Sequence, residues 1–477
     1  MNKPWFAAFV LLACFCACKK ESFNSSTPDK PTAAKPVTVI IDPHLTGYTI
    51  PHIFQGLSYE TGLLSDDPNY LNEHNTVLIQ LLKNLGRGVL RIGGNSSDEI
   101  DWGGDDAGTD TLHKKLTKAD IDRLAGFAKA INWPVLFGLN LANNNPAAAA
   151  DEAAYVHNRL QGNFYAFQTG NEPDFFFANT HRPQNYKYRN YQKEWDNYYE
   201  TVKGKIPGAL FAGPDIMPFN LRWLGEFTKN EHQRVNLIDG HYYNNGPASN
   251  PQIGLQDVLR PHKDMAAYLQ GMSVIAANHS LPYRISESNS IWGQGKPGVS
   301  NVFASALWAL DFMWSIAENK GQGVNFHGGG IRFVYTPINA ANGITTARPV
   351  YYAMLAFKDG AIGNKIVAPQ VIDRDEQDNY SVHSSINRDK STSITFINKE
   401  LEKDFSFTVQ LTQAAASMSI SRLSAPSVTS DTGITFAGST VNQDGTFAPA
   451  TNEEYPIHQR TFTITIPAGS AAVVRVR

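Results

Sequence analysis

Two glutamates stand where apolar, strand-like runs come to an end. Glu172 follows the run Phe164–Thr169, and Glu287 follows the strand-like letters YRIS. The first run has the length and aromatic content of a buried strand. After it, Gly170 allows an unusual backbone dihedral, and Pro173 prevents the strand from continuing. Because burying an unpaired carboxylate is costly, glutamates in such positions indicate a chemical role.

Paired carboxylates are what glycoside hydrolysis requires. One carboxyl group protonates the leaving oxygen, and the other attacks the anomeric carbon or activates water. By the order of apolar runs, Glu172 ends the fourth strand and Glu287 the seventh, and in a parallel barrel both ends face one mouth. Either glutamate alone could instead cap a helix. Their joint occurrence, with Asn171 beside one and Asn289 near the other, favours a catalytic pair.

Strand-like runs that alternate with helical segments must position these side chains. A Thr at residue 117 and an Asp at residue 120 suit the start of one such helix. Eight βα units predict an α/β fold of the (β/α)₈ TIM-barrel type, and an open doubly wound sheet is disfavoured because no Gly-rich phosphate turn follows the first strand. The predicted strands are Phe54–Glu60, Gly88–Gly94, Pro134–Asn140, Phe164–Glu172, Ala209–Pro214, Val235–Tyr243, Tyr283–Asn289 and Gly323–Gly329. The predicted helices are Thr117–Ile131, Leu255–Asn278, Ser300–Glu318 and Arg348–Lys358.

The pattern changes after about Gly363, where short stretches alternate apolar and polar residues with period two between turn residues. This predicts an antiparallel β-sandwich, to which the early strand Val37–Asp42 adds. The expected domains are therefore a barrel over 51–362 and a sandwich built from 37–50 and 363–477. A polar Ser/Thr/Pro/Lys segment, 19–36, reads as a flexible linker.

The first 18 residues have the features of an export signal, with a basic residue, an apolar run and small residues before a Cys. They resemble a bacterial lipoprotein signal, with Cys18 as the lipidated residue and Cys14 as the alternative. The resemblance implies a chain exported to the outer membrane of a bacterium, on its periplasmic or surface side, and held there by a lipid anchor. A plain signal peptide that is cut further on is the other possibility.

Bulk composition excludes several classes of function. The chain has 477 residues and a formal net charge of -3, so nothing predicts binding to nucleic acid or to an anionic membrane surface. All three cysteines fall within the signal, which leaves no thiolate metal site. His241 and His327 are expected to be hydrogen-bonded structural residues rather than metal ligands. No cofactor and no metal are expected, and the oligomeric state is left open.

Three motifs together resemble glycoside hydrolase family 79, the heparanase and β-glucuronidase family. They are GNEPD around Glu172, HYYNNG at 241–246 and ESNS at 287–290, supported by RIGG at 91–94 and FGLN at 137–140. The resemblance runs from about Val37 to the end of the chain and implies a bacterial, exo-acting member. It also implies a retaining mechanism, with Glu172 as acid/base and Glu287 as nucleophile.

The resemblance extends to residues that bind the substrate. Asn171 is implied to hydrogen-bond the sugar 2-hydroxyl, while Glu60 and Asn95 face the sugar. A tyrosine after the sixth strand orients the nucleophile in such families. Tyr242 is the closest match here and Tyr243 is the alternative.

The loop that follows the seventh strand, IWGQGKPG, corresponds to the family's grip on the uronate carboxylate. Backbone N–H groups of Gly293, Gln294 and Gly295 can form an anion-binding concavity. Two positions depart from the family: Trp292 replaces a Tyr, and Gln294 replaces a Gly. Tyr335 is expected to supply the missing phenolic donor. The loop also matches GxGxxG, but its place after the seventh strand argues against a dinucleotide site.

The sequence therefore predicts a retaining exo-β-glucuronidase that acts on terminal glucuronic acid in carbohydrates. One alternative is another retaining exo-glycosidase, of the xylosidase or arabinosidase type, which would keep both glutamates without a carboxylate site. A second is a surface lipoprotein that binds glycans without cutting them, and the intact pair Glu172 and Glu287 argues against it.

Overall fold

A computed structural model describes residues 33–108, 115–329, 332–341, 343–450, 453–457 and 460–477. Residues 34–477 form one compact unit. Cys14, Cys16 and Cys18 lie outside the described residues, so the expected lipid attachment remains a prediction. Among the described helices, none combines the length and apolarity that a bilayer crossing needs.

Eight parallel strands form the barrel. They are β1 Gln55–Glu60, β2 Val89–Gly93, β3 Val135–Leu139, β4 Phe164–Thr169, β5 Ala212–Ile216, β6 Leu237–Asn245, β7 Tyr283–Ile291 and β8 Gly323–Gly328. Their order in the sheet is β4-β3-β2-β1-β8-β7-β6-β5. The ring closes where Phe167 in β4 pairs with Phe211, which directly precedes β5, and the Phe167 N–H donates to the Leu210 carbonyl at 2.9 Å. The predicted TIM barrel is confirmed.

A helix follows every barrel strand. These are α1 Thr76–Leu85, α2 Lys118–Ile131, α3 Pro146–Leu160, α4 Tyr188–Lys205, α5 Leu221–Glu231, α6 Met265–Asn278, α7 Phe303–Glu318 and α8 Pro349–Gly360, with two short helices at Leu63–Asp66 and Leu255–Leu259. The start of α2 follows directly from its sequence. Thr117 and Asp120 bond reciprocally in a capping box, which satisfies N–H groups that the first turn leaves free.

Several boundaries differ from the sequence prediction. The expected helix Leu255–Asn278 is split, since Pro261 disfavours a helical residue before it, and Arg260 is extended. The fifth strand lies a little later than its apolar run, at Ala212–Ile216. Glu287 lies inside β7 rather than at its end, since that strand continues to Ile291.

The sandwich packs two sheets around a second apolar core. One sheet has the order Gln370–Ile372, Lys35–Ile41, Phe405–Leu411, Thr461–Ile466. The other has the order Thr46–Thr49, Lys365–Val367, Tyr380–Ile386, Thr392–Asn398, Ser470–Val476, Ser417–Ser424, Thr435–Phe436, and Glu453–Pro456 also pairs with Ser417–Ser424. Their inner faces meet through aromatic contacts such as Phe396 with Phe407, whose ring centroids are 4.9 Å apart.

The early strand joins this sandwich as predicted, but it begins at Lys35, so Lys35 and Pro36 are not part of the linker. It runs parallel to Phe405–Leu411 and antiparallel to Gln370–Ile372. The remaining short elements are the 3₁₀ turns Asn95–Asp98, Gln161–Asn163 and Pro173–Phe175, the pair Asp101–Gly104 with Lys115–Thr117, and the hairpin Ile338–Ala341 with Ile344–Ala347.

A buried ionic cluster joins the barrel to the sandwich. His383, from the sandwich, contacts Glu318 at 2.7 Å and Asp311 at 2.9 Å, both on α7. Lys399 contacts the other Asp311 oxygen at 2.5 Å. Burial alone would lower the pKa of His383, but the two carboxylates raise it to about 9.

His383→Gln should therefore lower the melting temperature by several degrees at pH 6, because it leaves Glu318 without its cationic partner and Asp311 with Lys399 alone. A raised folded-state pKa means that this contribution is fully present below pH 6.5 and is lost as the pH rises through about 9. Thermal melts at pH 6, 7.5 and 9.5 test this, with the exposed His74→Gln as control. A deficit that stays constant across the three pH values would contradict the ionic role.

Candidate active site

The guanidinium of Arg91 in β2 is fully buried at the centre of the barrel mouth. It donates five hydrogen bonds, to Ser58 (2.9 Å), Gln168 (3.1 Å), Asn171 (2.7 Å), Asp215 (2.6 Å) and Glu287 (2.6 Å). Because a guanidinium carries five N–H donors in a rigid fork, every donor is used. The two carboxylates balance its charge, which makes burial of the cation tolerable.

Glu287 is held as an anion by its neighbours. Its Oε2 accepts from Arg91, and its Oε1 accepts from the Tyr243 hydroxyl at 2.8 Å. The ring of His327 lies 3.5 Å from Oε2. Burial alone would raise the pKa of Glu287, but His327, His241, Arg91 and the Tyr243 hydrogen bond hold it well below its ordinary value. An ionised carboxylate with fixed orientation can act as a nucleophile.

Glu172 is placed quite differently. It lies just beyond β4, ahead of the turn Pro173–Phe175, with a positive φ of 51°. Its Oε1 lies 2.8 Å from Nδ1 of His241. The backbone of His241 is paired with that of Glu287 across β6 and β7. The same histidine thus adjoins both glutamates, which brings Glu172 and Glu287 to one side of the mouth.

His241 contacts a second carboxylate, because its Nε2 lies 3.0 Å from Asp215 Oδ1. Burial alone would lower the pKa of His241, but the charges of Asp215 and Glu287, with the hydrogen bonds to Asp215 and Glu172, raise it well above 6.5. His241 is hydrogen-bonded, as expected, and so is His327, whose Nδ1 lies 2.9 Å from the Ser58 hydroxyl. Both histidines nevertheless lie in the candidate site, since His241 contacts Glu172 and His327 lies beside Glu287.

The turn that carries Glu172 is anchored by Asp98. This buried carboxylate accepts from the N–H groups of Asn171 (2.7 Å), Leu141 (2.8 Å) and Ala142 (3.2 Å). Asn171 also accepts from Arg91 and donates to Asn95 at 3.0 Å. Three elements therefore fix Asn171 beside the glutamate that follows it.

Glu60, at the end of β1, is clamped by residues that follow β2. One carboxylate oxygen accepts from the Ser96 N–H at 2.8 Å and from the Ser96 hydroxyl, and the other lies 3.5 Å from His327. Gly94 is required here, since an added Cβ would come within 2.5 Å of the Glu60 carboxyl carbon. Glu60 therefore lies at the same mouth as Glu287, linked to it through His327.

Tyr243, and not Tyr242, contacts Glu287. The Tyr242 hydroxyl donates to Asn244 at 2.8 Å, and its ring stacks on Phe312 with centroids 4.6 Å apart. Successive side chains of a strand point to opposite faces, so the two tyrosines cannot both face the barrel axis. The hydroxyl that reaches Glu287 is thus that of Tyr243, the alternative, while Tyr242, the closest match to the family, lies on the other face of β6.

The loop after β7 has an unusual backbone, with positive φ at Gly293 (84°), Gln294 (72°) and Gly295 (84°). Within the described part of the chain, none of these three N–H groups has a protein acceptor. Gly295 packs against Tyr335, where an added Cβ would meet the Tyr335 nitrogen at 2.8 Å. The Tyr335 hydroxyl lies 3.4 Å from that of Tyr243, so this loop borders the site.

Trp292 is 49% exposed and lies over Gly246, at a position where an added Cβ would meet its ring. Its indole N–H is a donor, but it has no phenolic hydroxyl, and the phenolic hydroxyl that borders the loop is that of Tyr335. Among the described residues, no three His, Cys, Asp or Glu side chains are grouped in a way that could hold a metal ion.

Sequence reasoning missed Arg91, Asp215 and the active-site role of His241. Two signals were available: a charged residue inside the apolar run GVLRIGG, and an aspartate that follows the run ALFAGP. Neither signal identifies the hydrogen-bond partners of Arg91 or Asp215, because those partners lie on other strands.

The sandwich provides the family match. Residues 379–473 match the model of the glycosyl hydrolase family 79 C-terminal beta domain. A β-glucuronidase of Aspergillus niger is 26% identical over 320 residues, covering 58% of this chain and 58% of the relative. One of Neurospora crassa is 28% identical over 223 residues, covering 41% and 39%. The chain thus spans less than two thirds of either relative.

Solved structures support the fold. A 4-O-α-L-rhamnosyl-β-D-glucuronidase of Fusarium oxysporum superposes with a TM-score of 0.77 at 19% identity, covering 92% of this chain and 99% of that one. A family 51 arabinofuranosidase of Xanthomonas axonopodis pv. citri reaches 0.69 at 14% identity, covering 93% and 100%. Together with the family model, the β-glucuronidase relatives confirm the relationship to glycoside hydrolase family 79 that the motifs indicated.

Proposed function

We propose that this chain, a relative of glycoside hydrolase family 79, is a retaining exo-β-glucuronidase. The observation that carries the proposal is the contrast between its two glutamates. Glu287 is fixed as an anion by Arg91 and Tyr243, whereas Glu172 faces a histidine that can carry a proton. Two carboxyl groups in contrasting environments at one mouth suit the roles of nucleophile and acid/base.

In the proposed reaction, Glu287 attacks the anomeric carbon while Glu172 gives a proton to the leaving glycosidic oxygen. The resulting glycosyl-enzyme is hydrolysed by a water molecule that loses its proton to Glu172. Tyr243 and Arg91 keep Glu287 oriented for both steps. Exo action on terminal glucuronic acid is carried over from the family resemblance.

Selectivity for a uronate rests on the loop after β7. The backbone N–H groups of Gly293, Gln294 and Gly295 have no acceptor among the residues that the structure describes, and the Tyr335 hydroxyl borders the same region. Such donors suit a carboxylate, and charge-assisted hydrogen bonds are roughly twice as strong as neutral ones. The names of the fungal relatives support the same substrate class.

A retaining exo-glycosidase of the arabinosidase or xylosidase type is the second candidate. The exposed Trp292 favours it, because a phenolic donor is missing at that position. This candidate would use the same two glutamates. It differs only in how the enzyme recognises the substituent at carbon five of the sugar. The glycan-binding alternative is disfavoured by the elaborate fixation of Glu287.

Retention of configuration is the first prediction. Proton NMR of the hydrolysis of p-nitrophenyl β-D-glucuronide should show the β-anomer as the first product, because two displacements restore the starting configuration. Glu287→Gln should lower kcat by orders of magnitude, and the exposed Glu99→Gln should not. An α-anomer appearing first would rule out the double displacement.

Selectivity is the second prediction. A donor that a bound glucoside buries without a partner costs about 1–3 kcal/mol, so two or three such donors predict a kcat/KM ratio of glucuronide over glucoside of several powers of ten. Tyr335→Phe should reduce that ratio by roughly tenfold, and the exposed Tyr455→Phe should leave it unchanged. A wild-type ratio near one would favour the second candidate.

Export and lipid anchoring through Cys18 are also proposed, on the basis of the signal-like first 18 residues. A fatty-acid probe added to cells should label the wild-type chain and not Cys18→Ala, since the thiol is the acceptor. Cys14→Ala is the matched control and should still be labelled. Labelling that is lost only with Cys14→Ala would move the anchor to the alternative position.

A further inference from the structure

His241 is a fully buried imidazole with a carboxylate on each ring nitrogen. Its Nδ1 faces Glu172 at 2.8 Å, and its Nε2 faces Asp215 at 3.0 Å. The same histidine therefore connects the proposed acid/base to an aspartate that lies deeper in the barrel. The role of Asp215 depends on which of the two ring nitrogens of His241 carries hydrogen.

The hydrogen-bond partners of Asp215 answer that question. Its Oδ2 accepts from Arg91 at 2.6 Å, and its Oδ1 accepts from Gln168 at 2.5 Å and from Ser286 at 2.7 Å. The orientation of the Gln168 amide is fixed independently, because its oxygen accepts from Arg91. Surrounded by donors, Asp215 is an ionised acceptor. The Nε2 of His241 must then carry hydrogen and donate to it.

Once Nε2 is a donor, Nδ1 and Glu172 have one proton to share. In one state the proton is on Nδ1 and Glu172 is ionised. In the other state Glu172 is protonated and Nδ1 is unprotonated. Had Nε2 been the acceptor, Nδ1 would hold its own hydrogen permanently and could not take one from Glu172. The choice of tautomer thus decides whether His241 can exchange a proton with the acid/base.

We propose that Asp215 is a positioning residue that acts through His241: it fixes the Nε2–H tautomer, so that His241 and Glu172 hold one transferable proton between them. The proposal rests on the acid/base role proposed for Glu172. As the glycosidic bond breaks and the bond to Glu287 forms, this proton leaves through Glu172 to the departing oxygen. The water that later displaces Glu287 returns a proton to the pair, so protons balance over the cycle.

The surrounding charges suit this role. Among the described residues, the ionisable groups that face His241 are Glu172, Asp215, Glu287 and Tyr268, whose hydroxyl donates to the His241 carbonyl at 3.0 Å. Arg91 and Asp239 adjoin it through Asp215. Burial, followed by the charge of Asp215, raises the pKa of Asp239 well above its ordinary value. Asp239 accepts from the Asp215 N–H at 2.9 Å and from Gln168 at 2.8 Å. Asp239 therefore orients both Asp215 and the Gln168 amide that donates to Asp215.

Asp215→Asn tests the proposal with aryl β-glucuronides whose leaving groups range from good to poor. An asparagine can donate to Nε2 and select the wrong tautomer, as known for the serine-protease triad. Because general acid catalysis contributes about 10²–10⁴-fold, kcat/KM should fall by that factor for poor leaving groups and by less than about tenfold for the best. Glu172→Ala should show the same dependence, with azide restoring its activity.

The pH profile gives an independent readout. Removing the negative charge of Asp215 makes the shared proton easier to lose, so the alkaline limb of kcat/KM should move to lower pH in Asp215→Asn. Ser286→Ala, which removes one donor and keeps the charge, is the matched control and should leave the limb in place. Equal losses for every leaving group, with an unmoved alkaline limb in a folded protein, would show that Asp215 is only structural.

One further variant and one spectroscopic measurement keep the proposal testable. If Asp215→Asn does not fold, His241→Gln must show the same dependence on the leaving group, or the proposal fails. Nitrogen-15 NMR of labelled histidine, assigned with His241→Gln, should show hydrogen on Nε2 in the wild-type protein. An unprotonated Nε2 would overturn the tautomer assignment. Because this spectrum needs no turnover, it separates failure of this inference from failure of the proposed function.

Discussion

The site depends on one buried cation. Arg91 has no access to water, so each of its N–H groups must find an acceptor inside the barrel, and its charge must be balanced there. The acceptors come from β1, β4, β5, β7 and the turn after β4. One guanidinium thus sets the relative positions of side chains that lie far apart in the sequence. If one acceptor were lost, a buried donor would remain unpaired.

Charge alternates outward from this cation. Arg91 faces the anions Asp215 and Glu287, and both anions adjoin His241, which in turn reaches Glu172. In a medium of low polarity, such an arrangement gives each acid a distinct environment without any change in residue type. Two glutamates with identical side chains are thereby suited to the different roles proposed for them, nucleophile and acid/base.

Local backbone strain accompanies this arrangement. Glu172 and Asp215 both have positive φ, at 51° and 58°, a conformation that costs a side chain of this kind about 1–3 kcal/mol. The two are tied together, since the Glu172 N–H donates to the Asp215 carbonyl at 2.9 Å. Asp98 and Asp239 hold the neighbouring N–H groups. Backbone strain of this kind is therefore present at both carboxylates that face His241.

The sequence by itself determined the architecture and singled out the two glutamates proposed as the catalytic pair. Periodicity depends on which face of a strand or helix is buried, so eight alternating units and the late period-two strands were visible in the letters. Glu172 and Glu287 stood out because a carboxylate after an apolar run has few structural uses. Only the tertiary structure decided between Tyr242 and Tyr243, since one residue of register reverses the face of a strand. It alone brought Arg91, Asp215 and His241 together, because hydrogen bonds between strands depend on how the barrel closes and leave no local trace in the chain.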